Sequence, residues 1–248
     1  MTAPAPAILV VDDDPDTCRN LADLLSDLGY RVDTAPDGPA ALDRVRAGPY
    51  DVALLDYKMP GMDGVELYRR IKQVRAGTVA ILVSAYTSPA TRDEALGAGA
   101  WRVLAKPVDF PALLGLVDEA VGQPLVLVVD DDPDLCGSLW DVLRERGYRV
   151  AVAHDVPAAA DQLRGGPYRV VLLDMRLPGG DGAAVFELVR AACPGARTVV
   201  ITGYPREADG LVRQVLGAGA DAVCYKPFDL PRLLATVASL TGRGAGDG

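Results

Sequence analysis

The chain is poor in cysteine, histidine and basic residues, and each shortage closes off a class of function. Its four cysteines, Cys18, Cys136, Cys193 and Cys224, form no C-x-x-C pair, and no histidine stands at metal-site spacing from them. A disulfide framework and a zinc centre are excluded on that pattern, and a reducing, cytoplasmic setting is expected. The one histidine, His154, has no histidine helix around it and is expected in a solvent-exposed loop. Lys and Arg number 25 against 34 Asp and Glu, a net charge of -9. Both halves are acidic, 12 bases to 18 acids up to Gln123 and 13 to 16 beyond it. Neither offers the basic cluster that duplex DNA requires, so no nucleic-acid partner is expected. No apolar run reaches the ~18 residues of a membrane span. The Ala/Pro-rich stretch Met1 to Ala7 lacks the basic start and apolar core of a signal peptide, and the Gly-rich stretch Thr241 to Gly248 reads as frayed. No membrane association is expected.

What is there is a hydrophobic fraction of 50% over 248 residues, enough for one large domain or two small ones. An internal repeat decides for two. Ile8-Leu-Val-Val-Asp-Asp-Asp-Pro-Asp16 recurs as Val126-Leu-Val-Val-Asp-Asp-Asp-Pro-Asp134. Gly29-Tyr-Arg-Val32, Gly48-Pro-Tyr50 and Leu54-Leu-Asp56 recur as Gly147–Val150, Gly166–Tyr168 and Leu172–Asp174, each at an offset of 118. Leu96-Gly-Ala-Gly-Ala100 recurs as Leu216–Ala220 at an offset of 120, so the second copy has two extra residues between Ser84 and Leu96 of the first. Repeats this long are duplicated domains, here 1–122 and 124–243, joined by a short linker at Gly122–Pro124. A linker this short suggests that the domains sit close together.

Within the first copy, short apolar segments alternate with amphipathic ones. Strands are expected at Ala7–Val11, Arg31–Thr34, Asp51–Leu55, Val79–Val83 and Arg102–Ala105. Helices are expected at Pro15–Leu28, Gly38–Arg46, Gly64–Arg75, Pro89–Leu96 and Phe110–Val121, with Pro15 suited to a first turn and Gly29 to an end. Five βα units with continuous apolar strands mean an α/β domain whose parallel sheet is covered on both faces.

In open parallel sheets, sites form where strands run out into loops. Asp12, Asp13 and Asp14 follow the first strand, Asp56 the third, Ser84 the fourth, and Lys106-Pro107 the fifth. The second copy offers Asp130, Asp131, Asp174, Thr202 and Lys226-Pro227. Two carboxylates ~4 Å apart repel by roughly 4 kcal/mol at an effective dielectric of ~20, so a proton or a hard cation must offset them. Mg²⁺ accepts one or two carboxylates together with phosphate oxygens and water. A neighbouring carboxylate is already a competent nucleophile toward phosphorus, and no general base is needed. The three phosphoryl oxygens can then meet the metal, the lysine ammonium and the hydroxyl.

This set resembles the receiver domain of bacterial two-component response regulators, twice over nearly the whole chain. The family's acidic pair matches Asp12-Asp13 and Asp130-Asp131. Its acceptor motif matches Leu54-Leu-Asp56-Tyr-Lys-Met-Pro-Gly-Met-Asp-Gly64 and Leu172-Leu-Asp174-Met-Arg-Leu-Pro-Gly-Gly-Asp-Gly182. The resemblance implies two flavodoxin-like, doubly wound (βα)5 domains with five-stranded parallel sheets. It implies phosphoacceptors Asp56 and Asp174, and phosphoryl-binding or switch residues Ser84, Lys106, Thr202 and Lys226. It implies Mg²⁺ held by Asp13, Asp56 and the Lys58 carbonyl, with Asp12 acting through water. In the second copy these are Asp131, Asp174 and the Arg176 carbonyl, with Asp130 outer. Partners would be a histidine kinase or histidine phosphotransfer protein and an unknown downstream protein. With no output segment evident after the second copy, signalling by contact or relay is expected, or the chain is the receiver part of a longer regulator.

The chain departs from the family where an aromatic switch residue often stands three before the lysine; here are Val103 and Val223. Tyr86 and Tyr204 flank the sites instead, and Tyr86 is the expected moving aromatic, with the loop Ser84–Pro89. An aspartyl-phosphate phosphatase of the haloacid-dehalogenase type needs an acid two residues after its nucleophile, but Lys58 and Arg176 stand there, so no enzyme is expected. An interaction module that no longer takes a phosphoryl group fits poorly with two intact acceptors. Asp14 reads as a helix cap. Cys18 and Cys136, at equivalent positions, read as packing residues. Gly217-Ala-Gly-Ala-Asp-Ala222 fits a dinucleotide pattern but follows a helix and precedes a strand, the reverse of the required order. Gly217 is then expected to cap the helix C-terminus.

Overall fold

The computed structural model describes residues 5–85, 88–178, 180–203 and 209–242. It divides the chain into two compact units, Met1–Gln123 and Pro124–Gly248.

The first unit contains strands β1 (Ala7–Val11), β2 (Arg31–Ala35), β3 (Val52–Asp56), β4 (Val79–Ser84) and β5 (Arg102–Ala105). Between and after them lie helices α1 (Pro15–Asp27), α2 (Gly38–Ala47), α3 (Gly64–Val74), α4 (Pro89–Gly97) and α5 (Phe110–Gly122). The strands pair in parallel in the order β2-β1-β3-β4-β5. Side chains of a strand alternate between faces, and here both faces are apolar. Leu9, Val11, Ala53, Leu55, Ala80 and Leu82 share one core cluster with Val45 of α2, Ile71 of α3 and Ala95 of α4. Ile8, Val10, Val52, Leu54, Val79 and Ile81 form another with Leu21 and Leu25 of α1 and Leu113 and Val117 of α5. The unbroken apolar runs therefore reflect a sheet with helices on both sides.

The second unit repeats this plan with β6 (Leu125–Val129), α6 (Pro133–Glu145), β7 (Arg149–Ala153), α7 (Val156–Leu163) and β8 (Val170–Asp174). A two-stranded hairpin follows, β9 (Arg176–Leu177) and β10 (Gly180–Asp181). Then come α8 (Gly182–Ala192), β11 (Arg197–Thr202), α9 (Asp209–Gly217), β12 (Ala222–Tyr225) and α10 (Leu230–Thr241). Its parallel sheet runs β12-β11-β8-β6-β7, the order of the first read from the other edge. The two extra residues fall between Thr202 and Asp209, ahead of α9.

Among the described residues, seven helix starts are capped by an aspartate side chain, whereas Asp109 ahead of α5 makes no such bond. Asp14 accepts from the Asp16 N–H, Asp37 from Ala40, and Asp63 from Glu66. Gly29 ends α1 with φ 91°. One expected cap moves: Gly217 is the last residue of α9, and the left-handed position is Gly219, φ 110°. Its N–H donates to the Leu216 carbonyl while Ala220 N–H donates to Val215, the paired bonds that close a helix end.

Two glycine features are specific to packing. A Cβ on Gly64 or Gly182 would collide with the carbonyl oxygen of Asp56 or Asp174, so the final glycine of each acceptor motif lets the next helix start against the acceptor strand. A Cβ on Gly38 would meet Met62 Sδ at 2.6 Å, whereas a Cβ on Gly180 would meet Val156 at 3.0 Å. Val156 occupies the repeat position of Gly38, and Gly180 that of Met62. The same contact is filled from opposite sides in the two copies.

Candidate functional site

Each sheet delivers its polar residues to one end. In the first unit Asp12 follows β1, Asp56 ends β3, Ser84 ends β4, and all three are buried. Asp56 pairs in register with Val83, which puts Ser84 one place beyond the acceptor on the neighbouring strand. Lys106 follows β5, and its bond to Pro107 is cis. The Lys106 ammonium lies 2.8 Å from Asp12 Oδ2 and 2.5 Å from Asp56 Oδ1. The remaining oxygens are also engaged: Asp12 Oδ1 accepts the Asp14 N–H at 3.0 Å and Asp56 Oδ2 the Lys58 N–H at 3.0 Å. Asp13 is exposed at the rim.

The second unit builds the same arrangement. Lys226, also followed by a cis proline, reaches Asp130 Oδ2 at 2.6 Å and Asp174 Oδ2 at 2.7 Å. Asp130 Oδ1 accepts from Asp132 N–H at 3.1 Å, and Asp174 Oδ1 from Arg176 N–H at 2.9 Å. Thr202, at the end of β11, is buried. Asp130, Asp131 and Asp174 bring one carboxylate oxygen each within 4.8 Å of one another, a donor set suited to a hard cation. Among the described residues, Asp12, Asp13 and Asp56 do not meet that spacing. The second pocket thus gathers three carboxylates about one ammonium, whereas in the first Lys106 meets Asp12 and Asp56 with Asp13 outside at the rim.

Burial and pairing pull the titrations in opposite directions. Burial pushes the Asp56 carboxyl above its ordinary value although Lys106 works against the rise. Burial does the same to Asp130, against Lys226. Burial also draws the Lys106 and Lys226 ammoniums down, but their bonds to the paired aspartates more than offset it and hold both above 10.5. An uncompensated acid in such a place is unstable as an anion, and a cation or a bound electrophile relieves it.

Several neighbours were not singled out as functional from sequence. Cys18 and Cys136 are buried, and each thiol lies 3.3 Å from the carbonyl of the first acid of its own unit, Asp12 or Asp130. Burial pushes the Cys136 thiol up to about 12, as suits a packing residue. His154 is exposed as expected, yet its Nδ1 lies 3.0 Å from the Asp130 carbonyl. Tyr57, next to Asp56, donates its hydroxyl to Glu94 of α4 at 2.7 Å. The hairpin β9–β10 after Asp174 is an addition to the five βα units that the sequence pattern implies. Tyr86 and Tyr204, the aromatics expected beside the sites, lie outside the described residues, as does Thr87 within the loop Ser84–Pro89.

Comparison with known proteins gives the same reading of both units. A family model described as the response regulator receiver domain matches residues 8–118 and again 126–238. A response regulator receiver protein of Anaeromyxobacter sp. (strain Fw109-5) is 33% identical over 234 residues, covering 94% of each chain. The transcriptional regulatory protein ZraR of Klebsiella oxytoca is 42% identical over 116 residues, 47% of this chain and 26% of that protein. Among solved structures, a CheY-like receiver domain protein of Methanospirillum hungatei JF-1 matches with 32% identity and a TM-score of 0.46, over 47% of this chain and 94% of that one.

Proposed function

Because the chain belongs, in both halves, to the response regulator receiver domain family of two-component signalling, we propose that each unit accepts a phosphoryl group on one carboxylate, Asp56 in the first and Asp174 in the second. The observation that carries this is the buried aspartate at the end of a central strand, tied by one lysine to the acid on the next strand, built twice. The donor is a histidine kinase or histidine phosphotransfer protein, and the product is read by a downstream protein.

In the transfer, a carboxylate oxygen of Asp56 or Asp174 bonds to phosphorus as the phosphorus–nitrogen bond of phosphohistidine breaks. The imidazole leaves with the bonding pair and is protonated from water. Lys106 and Lys226 hold the acceptors in place beforehand, then exchange that contact for a phosphoryl oxygen. The Ser84 and Thr202 hydroxyls, one strand over, donate to another. Mg²⁺ would be held by Asp130, Asp131, Asp174 and the Arg176 carbonyl in the second unit, where three carboxylate oxygens converge, and by Asp12, Asp13, Asp56 and the Lys58 carbonyl in the first. Bound there, Mg²⁺ supplies positive charge to the phosphoryl oxygens. No acid stands two residues after either acceptor to serve as the general acid of a phosphatase, which favours an acceptor over an enzyme.

The acidic balance of both halves sets this reading against nucleic-acid binding. No helix among the described residues is long and apolar enough to cross a membrane. We assign the protein to the cytoplasm, where its four free thiols would stay reduced. The test is intact-mass spectrometry after incubation with acetyl phosphate and Mg²⁺. Two additions are expected, one lost in Asp56→Asn and the other in Asp174→Asn. Additions that survive in the double variant refute the assignment.

A further inference from the structure

The two units hold equivalent helices in place by different chemistry. In the second unit Met175, the residue after the acceptor, is buried and shares one core cluster with Val212 and Val215 of α9. In the first unit the corresponding residues are Tyr57, Arg92 and Ala95. Arg92 is exposed, and Ala95 is the one buried side chain of α4. A single methyl gives that helix little apolar hold. What it has instead is polar: the Tyr57 hydroxyl donates to Glu94, with Thr91 of the same helix also beside it. Gln214 stands at the position of Glu94 in the second copy, facing no tyrosine after the acceptor.

Tyr57 is also fixed at its main chain. Its N–H donates to the Val83 carbonyl of β4 at 2.8 Å, and its carbonyl accepts the N–H of Gly64, the first residue of α3, at 3.0 Å. Its ring packs against the same core cluster as Ala98 and Val103. One residue thus joins the segment after Asp56, the end of β4, the start of α3 and the flank of α4. The bond to Glu94 raises the Tyr57 hydroxyl above its ordinary value, as expected of a donor to a carboxylate.

We infer that the Tyr57–Glu94 hydrogen bond couples the segment 57–64 to α4 in the first unit, and that the second unit replaces this polar tie with apolar packing of Met175. The inference rests on the proposed function only in calling that segment the acceptor loop. The tie can open at the cost of one solvent-replaceable hydrogen bond, whereas pulling Met175 from its cluster exposes a buried side chain. The first unit is therefore the one whose α4 responds readily to events at its acceptor.

The experiment is amide hydrogen exchange on the full chain, comparing wild type with Tyr57→Phe, Glu94→Met and Glu94→Gln. Tyr57→Phe should speed exchange in α4 about fivefold, the equivalent of about 1 kcal/mol for one hydrogen bond, and leave α9 unchanged. Glu94→Met should speed exchange of the Tyr57 and Gly64 amides from the other end. Glu94→Gln, which keeps an acceptor oxygen, should stay near wild type. Unchanged α4 exchange in Tyr57→Phe overturns the tie. An effect of Glu94→Met confined to α4 overturns the coupling. Treating the same samples with acetyl phosphate and recording mass at Asp56 judges the proposed function separately, because the exchange results do not depend on phosphorylation.

Discussion

Replacing Lys226 by methionine removes the cation from the second pocket while keeping most of its volume. Asp130, 1% exposed at its side chain, and Asp174, 10% exposed, then face each other with no ammonium between them. Removing one partner of a buried ion pair costs roughly 3–5 kcal/mol, and the 25% exposure of Lys226 itself places this case at about 3 kcal/mol. For a domain of this size ~4 °C is lost per kcal/mol, so the transition of the second unit should fall by roughly 12 °C. The effect should depend on pH with a definite sign. Burial already sets the Asp130 carboxyl above 3.8, so folding takes up a proton and the anion weighs against folding at neutral pH. That penalty lifts as pH falls through the raised folded value and is gone below 3.8. Loss of Lys226 raises the folded value further, while the lysine's own contribution is constant well below 10.5. The gap between variant and wild type is therefore widest at neutral pH and above, and narrows as pH falls toward 3.8. Scanning calorimetry of the full chain measures it, with the first unit as internal control. A loss under about 1 kcal/mol at neutral pH, or a loss that stays the same as pH falls toward 3.8, would refute an acid pair held by one cation.

Two further outcomes follow from the structure. Gly38→Val should cost about 1–3 kcal/mol by overpacking against Met62. Adding Met62→Gly should recover much of that loss, because Val156 and Gly180 form the same contact with sizes exchanged; denaturant midpoints of the single and double variants check the coupling. Mg²⁺ at about 100 times its dissociation constant should stabilise each unit by about 2.7 kcal/mol. Calorimetric titration should show two sites per chain, and Asp13→Ala with Asp131→Ala should abolish both; unchanged binding in that double variant contradicts the ligand assignment.

The parts of the fold legible in the sequence are those set by local pattern. Runs such as Ile8–Val11 and Val126–Val129 are apolar on both faces, so their strands and the two-sided helical cover followed directly. Edges shifted by a residue: Asp56 and Ser84 close their strands where the sequence had placed them just after, since a strand's last residue still bonds its neighbour. Features that depend on distant partners were not legible. Tyr57 and Glu94 meet across a gap in sequence that no periodicity marks, although Met175 at the repeat position was a cue that the two copies differ there. The hairpin after Asp174 puts Gly180 where an added Cβ would press on Val156 of α7, a tertiary proximity that no local pattern marks. Gly217 and Gly219 are alike as residues, and only the position of the last helical turn separates the cap from the helix. The acids and lysines of the site were visible by order and spacing, but the oxygen-by-oxygen sharing of each lysine was not.

The proposed transfer makes acyl phosphates of Asp56 and Asp174. Borohydride reduces an acyl phosphate on aspartate to homoserine, which marks the position covalently. After incubation with acetyl phosphate and Mg²⁺, then borohydride and peptide sequencing by mass spectrometry, homoserine is expected at positions 56 and 174. Homoserine at another aspartate, or at neither of these two while the donor is consumed, would contradict it.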